Sequence, residues 1–167
     1  MEFDLRLSQE NDLSDLIRLS AQARVRYKTI PSLAHVADSP ALSEERFNAC
    51  RVMVALDRDT QRVIGFAAMR PLDGLLYLDT IAVDPEASGN GVGEGLLLSV
   101  MAHAHAQQVQ AVSLTTFREP FWNGPWFRKH GFSLMPQAHV GAGLRAVIDR
   151  QSLTHRPVTR ETLWRLL

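Results

Sequence analysis

Apolar and polar residues alternate from Phe3 through Asp4, Leu5 and Arg6 to Leu7, the period-two pattern of a short strand. The period then changes. Leu13, Leu16, Ile17 and Leu19 recur at helical spacing behind Ser8, a candidate N-cap with Asn11 and Asp12 nearby, and predict a helix to about Tyr27. Residues 30–40 hold two prolines and no period, and read as loop. Ser43 ahead of Glu44, Glu45 and Arg46 predicts a short helix through Cys50. Residues 52–56 and 63–69, parted by turn residues, predict a hairpin, and Asp73-Gly74 marks another turn. The apolar, β-branched run 75–83 has the character of a central strand stopped by Pro85. A helix is predicted from about Val92 to Gln108, with Leu97, Met101 and Ala104 on one side. Then come a strand at 112–115, a short helix at 122–130 closed by Gly131, a strand opening at 132–134, and a helix at 141–151. A final strand covers 156–166, with 163–167 also compatible with a helix. The order is α+β, with hairpins first and a strand–loop–helix–strand unit in the middle.

Nothing in the composition breaks this succession, so residues 1–167 read as one domain, long enough to bury its own core. Lys plus Arg and Asp plus Glu number 18 each, so the basic excess of a nucleic-acid binder is missing. No apolar run is long enough for a membrane span, and the charged N-terminus lacks the apolar core of a secretory signal. The lone cysteine, Cys50, cannot form an internal disulfide, which fits a reducing, cytoplasmic setting.

The segment that carries chemistry lies between the strand at 75–83 and the helix at 92. Ser88, Gly89, Asn90, Gly91, Val92 and Gly93 lead directly into that helix. Glycines let successive N–H groups face one concavity, and the helix start adds about half a positive charge. A phosphate or pyrophosphate fits such a site; a bare strand-to-helix turn is the other reading. No Lys follows, as a P-loop requires, and G-x-G-x-x-G fails because Glu94 or Leu96 holds the last position.

The run from Val83 to Leu97 resembles the acyl-CoA motif of the GNAT N-acetyltransferase superfamily, V-x-P-x-x-[RQ]-x-x-G-x-[GA]. Phe127-Arg-Lys-His-Gly-Phe132 resembles that family's later Y-x-x-x-G-F signature. The resemblance implies an α+β, three-layer fold with a split, twisted mixed sheet flanked by helices, and acetyl-CoA wedged where two central strands diverge. It implies that Ile81, Ala82 and Val83 pair with the pantetheine arm, and that Ser88, Gly89, Asn90, Gly91, Val92, Gly93 and Glu94 cradle the pyrophosphate. Asn123 and Phe127 would lie beside the thioester. A homodimer is also suggested by the family. Two positions depart from the pattern: Ser88 replaces the Arg or Gln that opens the loop, and Phe127 replaces a Tyr that often protonates the departing thiolate.

The resemblance implies acetyl transfer to a primary amine of a small molecule or peptide, by direct attack in a ternary complex. The base candidates are Tyr77 and Asp79, which share a strand face, and Glu119 beyond the next strand. Each has a structural alternative: Tyr77 as a packed aromatic, Asp79 as a salt-bridged or capping residue. His130 is a helix-end residue or a substitute acid. Phe121, Trp122 and Trp126 form core or a cleft wall, and Arg24, Arg26 and Lys28 a solvated helix end. His103 and His105, two apart on a helix, are poor metal ligands. A non-catalytic acyl-CoA sensor and a protein-interaction domain on the same fold are the competing functions, and the acceptor's identity is not encoded in any motif.

Overall fold

A computed structural model describes residues 1–167. Seven strands form one mixed sheet: β1 (Phe3–Leu7), β2 (Arg51–Asp57), β3 (Val63–Leu72), β4 (Leu75–Val83), β5 (Ala111–Phe117), β6 (Ser133–Leu134) and β7 (Arg160–Leu166). Their order is β1-β2-β3-β4-β5-β7-β6. The helices are α1 (Leu13–Gln22), α2 (Glu44–Asn48), α3 (Val92–Ala106), α4 (Gly124–Lys129) and α5 (Ala142–Gln151). The chain divides into two compact units, Met1–Met69 with Thr80–Val100, and Arg70–Asp79 with Met101–Leu167. No helix is long and apolar enough to cross a membrane.

In the first unit, β1, β2 and β3 pair antiparallel, with a register shift at Ala55/Leu56. Leu16 and Leu19 of α1 pack with Val54 and Phe66, and Phe47 of α2 meets Phe66 edge-on at 5.3 Å. Ser43 caps α2 as expected, its hydroxyl accepting from Arg46 N–H at 3.3 Å.

The start of α1 differs from expectation. Ser8 is not its cap, because Ser8 N–H donates to the Val52 carbonyl and extends the sheet. A 3-10 turn, Glu10–Asp12, begins after Gln9 instead. The helix ends at Gln22 rather than near Tyr27, and 3-10 helices follow at Val25–Thr29 and Pro31–Asp38, where a loop was expected. Burial of Tyr27, Leu33 and Val36 holds these short turns in place. Arg24 is accordingly not a solvated end. It is half-buried and donates to the Pro40 carbonyl at 2.5 Å, and burial, followed by the charge of Arg46, lowers its guanidinium pKa.

Asp12 ties β1 to α1. Its carboxylate accepts from Arg6 at 2.7 Å and from Gln9 N–H at 2.7 Å, and the residue is buried. The Arg6 hydrogen bond is the main cause that holds its pKa below the usual carboxylate value; burial opposes it, and the Gln9 amide and the charge of Arg6 add to it. A depressed folded pKa gives stability that is present above the unfolded value, about 3.9, and lost as pH falls through the folded one. Asp12→Asn is therefore expected to cost about 1.5–3 kcal/mol at neutral pH. In urea titrations the gap to the parent protein narrows as pH falls below about 4; a gap independent of pH contradicts this role.

In the second unit, β4 and β5 run parallel, and β5 pairs antiparallel with β7 along its whole length. The final strand starts at Arg160, later than expected, after a 3-10 turn at Pro157–Thr159, and residues 163–166 are strand. Leu144 and Val147 of α5 pack with Tyr77 and Met135. The Asp73 turn also anchors a helix. Its carboxylate accepts from Gly143 and Leu144 N–H at 2.9 and 2.8 Å, at the positive end of α5.

Candidate active site

The glycine loop sits in the first unit. Asp84 N–H donates to the Ile64 carbonyl at 2.8 Å, and the Asp84 carboxylate accepts from Glu86 N–H at 3.0 Å. The Asn90 side chain donates to the Ala87 and Ser88 carbonyls at 3.1 and 3.3 Å, so the loop is braced from within. Gly89 and Gly91 have φ of +81° and +79°, which side chains rarely adopt. A Cβ at either position would meet nothing within 4 Å. The glycines are thus required by backbone conformation, and the space beside them is open. Gly95 N–H donates to the Gly91 carbonyl at 2.9 Å, which closes the first turn of α3. The N–H groups of Val92, Gly93 and Glu94, ahead of that bond, have no intrahelical acceptor. Ser88, Asn90 and Glu94 are exposed, and the Val92 side chain is buried beneath them. Ala82 turns into the core, while Ile81 and Val83 are half-buried.

The second unit holds the other candidates. The β4–β5 ladder consists of Leu76 opposite Val112 and Tyr77 opposite Ser113, and does not continue to Leu78 and Asp79. The edge of β5 beyond Ser113 is thus released from β4 inside this unit. Tyr77 and Asp79 share a face, as expected, and Arg70 joins them. Its guanidinium lies 5.2 Å from the Tyr77 ring centre, and its Nε lies 3.8 Å from the Asp79 carboxylate. The Asp79 side chain is 8% exposed. Tyr77 is packed in the core, its hydroxyl 3.4 Å from Thr115 Oγ1. Glu119 is exposed beyond the end of β5 and is not among these groups.

Asn123 precedes α4 and its carbonyl accepts from Phe127 N–H at 3.0 Å. Phe127 is buried against Trp126 and Phe132. Gly131 and Phe132 N–H donate to the Arg128 and Phe127 carbonyls, each at 3.1 Å, the paired bonds that end a helix at a left-handed glycine. The His130 ring lies tilted against Trp126, with 4.4 Å between ring centres. Phe121 does not join a core: it is 72% exposed, with its ring edge-on to Trp122 at 4.9 Å.

The resemblance implied a glycine loop that leads into a helix, and the first unit holds one between β4 and α3. A family model described as the acetyltransferase (GNAT) family matches residues 19–132, more than half of the chain. The chain belongs to the GNAT acetyltransferase family. Its fold is similar to that of a GNAT acetyltransferase from Staphylococcus aureus Mu50, at 15% identity and TM-score 0.73 over 99% of each chain. It is similar to the PaiA N-acetyltransferase from Thermoplasma acidophilum in complex with coenzyme A, at 15% identity and TM-score 0.70 over 100% of each chain. It is also similar to N-acetylglutamate synthase from Neisseria gonorrhoeae complexed with coenzyme A and N-acetyl-glutamate, at 17% identity and TM-score 0.70. That match covers 100% of this chain and 35% of the synthase, so this chain spans about a third of the synthase's length.

This GNAT chain has one polar cluster that sequence reading missed. Glu161 is buried on β7, and its Oε2 is held by Arg128 of α4 and lies 3.7 Å from Arg118. Its Oε1 accepts no hydrogen bond within the chain and lies against Gly124. The signal was present in the final strand, where Glu161 falls on the same alternation as the fully buried Leu163. Its partners are 33 or more residues away and gave no local hint. A Cβ at Gly124 would collide with Glu161 Oε1 and lie 2.9 Å from the Arg118 carbonyl. Gly124→Ala is therefore expected to cost about 3 kcal/mol by overpacking, or roughly 6–12 °C in melting temperature. An unchanged melting curve contradicts this packing.

Proposed function

We propose that the protein transfers the acetyl group of acetyl-CoA to a primary amine of a small molecule or peptide, by direct attack in a ternary complex. The open amide cradle at Gly89 and Gly91, continued by the first N–H groups of α3, carries this reading. Ser88 through Glu94 offer the pyrophosphate backbone donors and a helix start. Ile81, Ala82 and Val83 offer the pantetheine amides a strand edge.

The reaction forms a bond from the amine nitrogen to the thioester carbon and breaks the carbon–sulfur bond. The amine must be neutral to attack. A lysine-type amine of pKa ~10.4 is neutral in about one part in 10³ at pH 7, so a base helps by about 10²–10⁴. We assign that role to Asp79. Its carboxylate lies 3.8 Å from Arg70 Nε, on the strand face it shares with Tyr77. Tyr77 suits the part less well because it is packed among Met135, Leu144 and Val147. Phe127 cannot protonate the thiolate, but a thiol of pKa ~8.5 already leaves tolerably as its anion. The rest of the acceleration comes from holding both reactants together, worth roughly 7–11 kcal/mol.

Membership of an acetyltransferase family weighs against a non-catalytic acyl-CoA module. The test is thiol release from acetyl-CoA on addition of a panel of amines. Amine-dependent turnover is expected; tight acetyl-CoA binding with no turnover on any amine returns the sensor reading. A cytoplasmic location, supported by a single cysteine that cannot form an internal disulfide, and a homodimer complete the proposal.

A further inference from the structure

One cavity of the second unit has no part in the chemistry above. It measures about 60 Å³, room for a carboxylate group or about two waters. Thr115, Gln151, Arg160 and Thr162 bring hydrogen-bonding side chains to a lining that is otherwise largely apolar and includes Ile148 and Pro157. Arg160 supplies a permanent positive charge. Its guanidinium lies over the Phe117 ring, 4.4 Å from the centre, and its Nη2 donates to Thr115 Oγ1 at 3.1 Å. The His155 ring stands edge-on to the same phenyl at 5.1 Å. Glu161 also borders the cavity, but alternation along β7 turns its side chain to the other face, where Arg128 engages it.

We propose that this cavity binds the carboxylate of the acceptor, so that the substrate is a small amine of amino-acid type. This rests on the reading that the protein acetylates an amine. Three observations carry it. The fixed charge in the wall is Arg160, and a guanidinium fork matches a carboxylate with two parallel hydrogen bonds. Stacking on Phe117 and the bond to Thr115 hold that fork in one place, which lowers the ordering cost of binding. The Thr115 hydroxyl also meets the Tyr77 hydroxyl, so Tyr77 links the cavity wall to the strand that carries Asp79 within one unit. The amine of an amino acid lies one carbon from its carboxylate, which keeps both groups in this neighbourhood. The same positive wall disfavours polyamines and lysine-rich peptides.

The test is calorimetric titration of N-acetyl-L-amino acids, the products of such a reaction, and of the matching carboxamides, with and without CoA. At least one acid binds about 10- to 100-fold tighter than its carboxamide, the worth of a charge-assisted hydrogen bond. Arg160→Gln reduces the acid to the level of the carboxamide while CoA affinity stays unchanged. Gln151→Glu, which keeps Arg160 but sets a carboxylate in the wall, does the same and covers the case in which Arg160→Gln fails to fold. Three results overturn the proposal: acids and carboxamides binding alike, no acid binding, or acid affinity indifferent to both substitutions. Failure of the acetyltransferase reading shows elsewhere, as absent acetyl-CoA binding and absent thiol release.

Discussion

Gly91→Glu lowers acetyl-CoA affinity by at least about 100-fold, the equivalent of about 2.7 kcal/mol. Two effects combine. The backbone at Gly91 has φ +79°, so any side chain there costs about 1–2 kcal/mol in strain. A Cβ at this position meets nothing within 4 Å, so the glutamate side chain enters the open space beside the loop and brings a negative charge to the proposed pyrophosphate site. Strain alone can be separated from charge with a matched control. Gly74, in the turn between β3 and β4, has φ +76° and equally open surroundings. Gly74→Glu should lower the melting temperature by a similar amount and leave acetyl-CoA affinity intact. Equal loss of affinity in both variants, or none in Gly91→Glu, removes the cradle from the account.

Asp79→Asn lowers kcat/KM by about 100-fold near pH 7, the lower end of the range for loss of a general base. The isosteric amide leaves the strand unchanged but removes the negative charge 3.8 Å from Arg70. Acetyl-CoA affinity is unaffected, which separates a chemical role from damage to the fold. The pH profile is the sharper readout. As pH rises toward the acceptor's own pKa, ~8 for an α-amine, more amine is neutral without help and the deficit shrinks. Full activity from about pH 6 to 9 excludes Asp79 as the base.

What could be read from the sequence was local. The strand at 75–83, the glycines and the helix at Val92 are neighbours in the chain, and each announces itself by residue type: a β-branched run, positive-φ residues, a resumed helical period. The helix end at Gly131 was legible for the same reason. The region from Ser8 to Asp38 was read less well. Whether Ser8 caps a helix or extends a strand depends on the Val52 carbonyl, more than 40 residues on. The 3-10 turns at 25–38 are too short to show a period, and buried Tyr27, Leu33 and Val36 hold them. Candidate chemistry divides in the same way. Tyr77 and Asp79 were found by alternation on one strand. Arg70, which meets both, lies on the neighbouring strand. The Glu161 cluster and the Arg160 cavity are assembled from β5, β7, α4 and α5, elements whose juxtaposition no residue spacing encodes.

The most direct test of the central claim is calorimetric titration of the purified protein with acetyl-CoA, with NAD as the control nucleotide. Micromolar binding of acetyl-CoA and none of NAD is expected, because the proposed pyrophosphate cradle lacks the dinucleotide fingerprint. Folded protein that takes up no heat from acetyl-CoA contradicts it, and leaves the glycine loop as a turn.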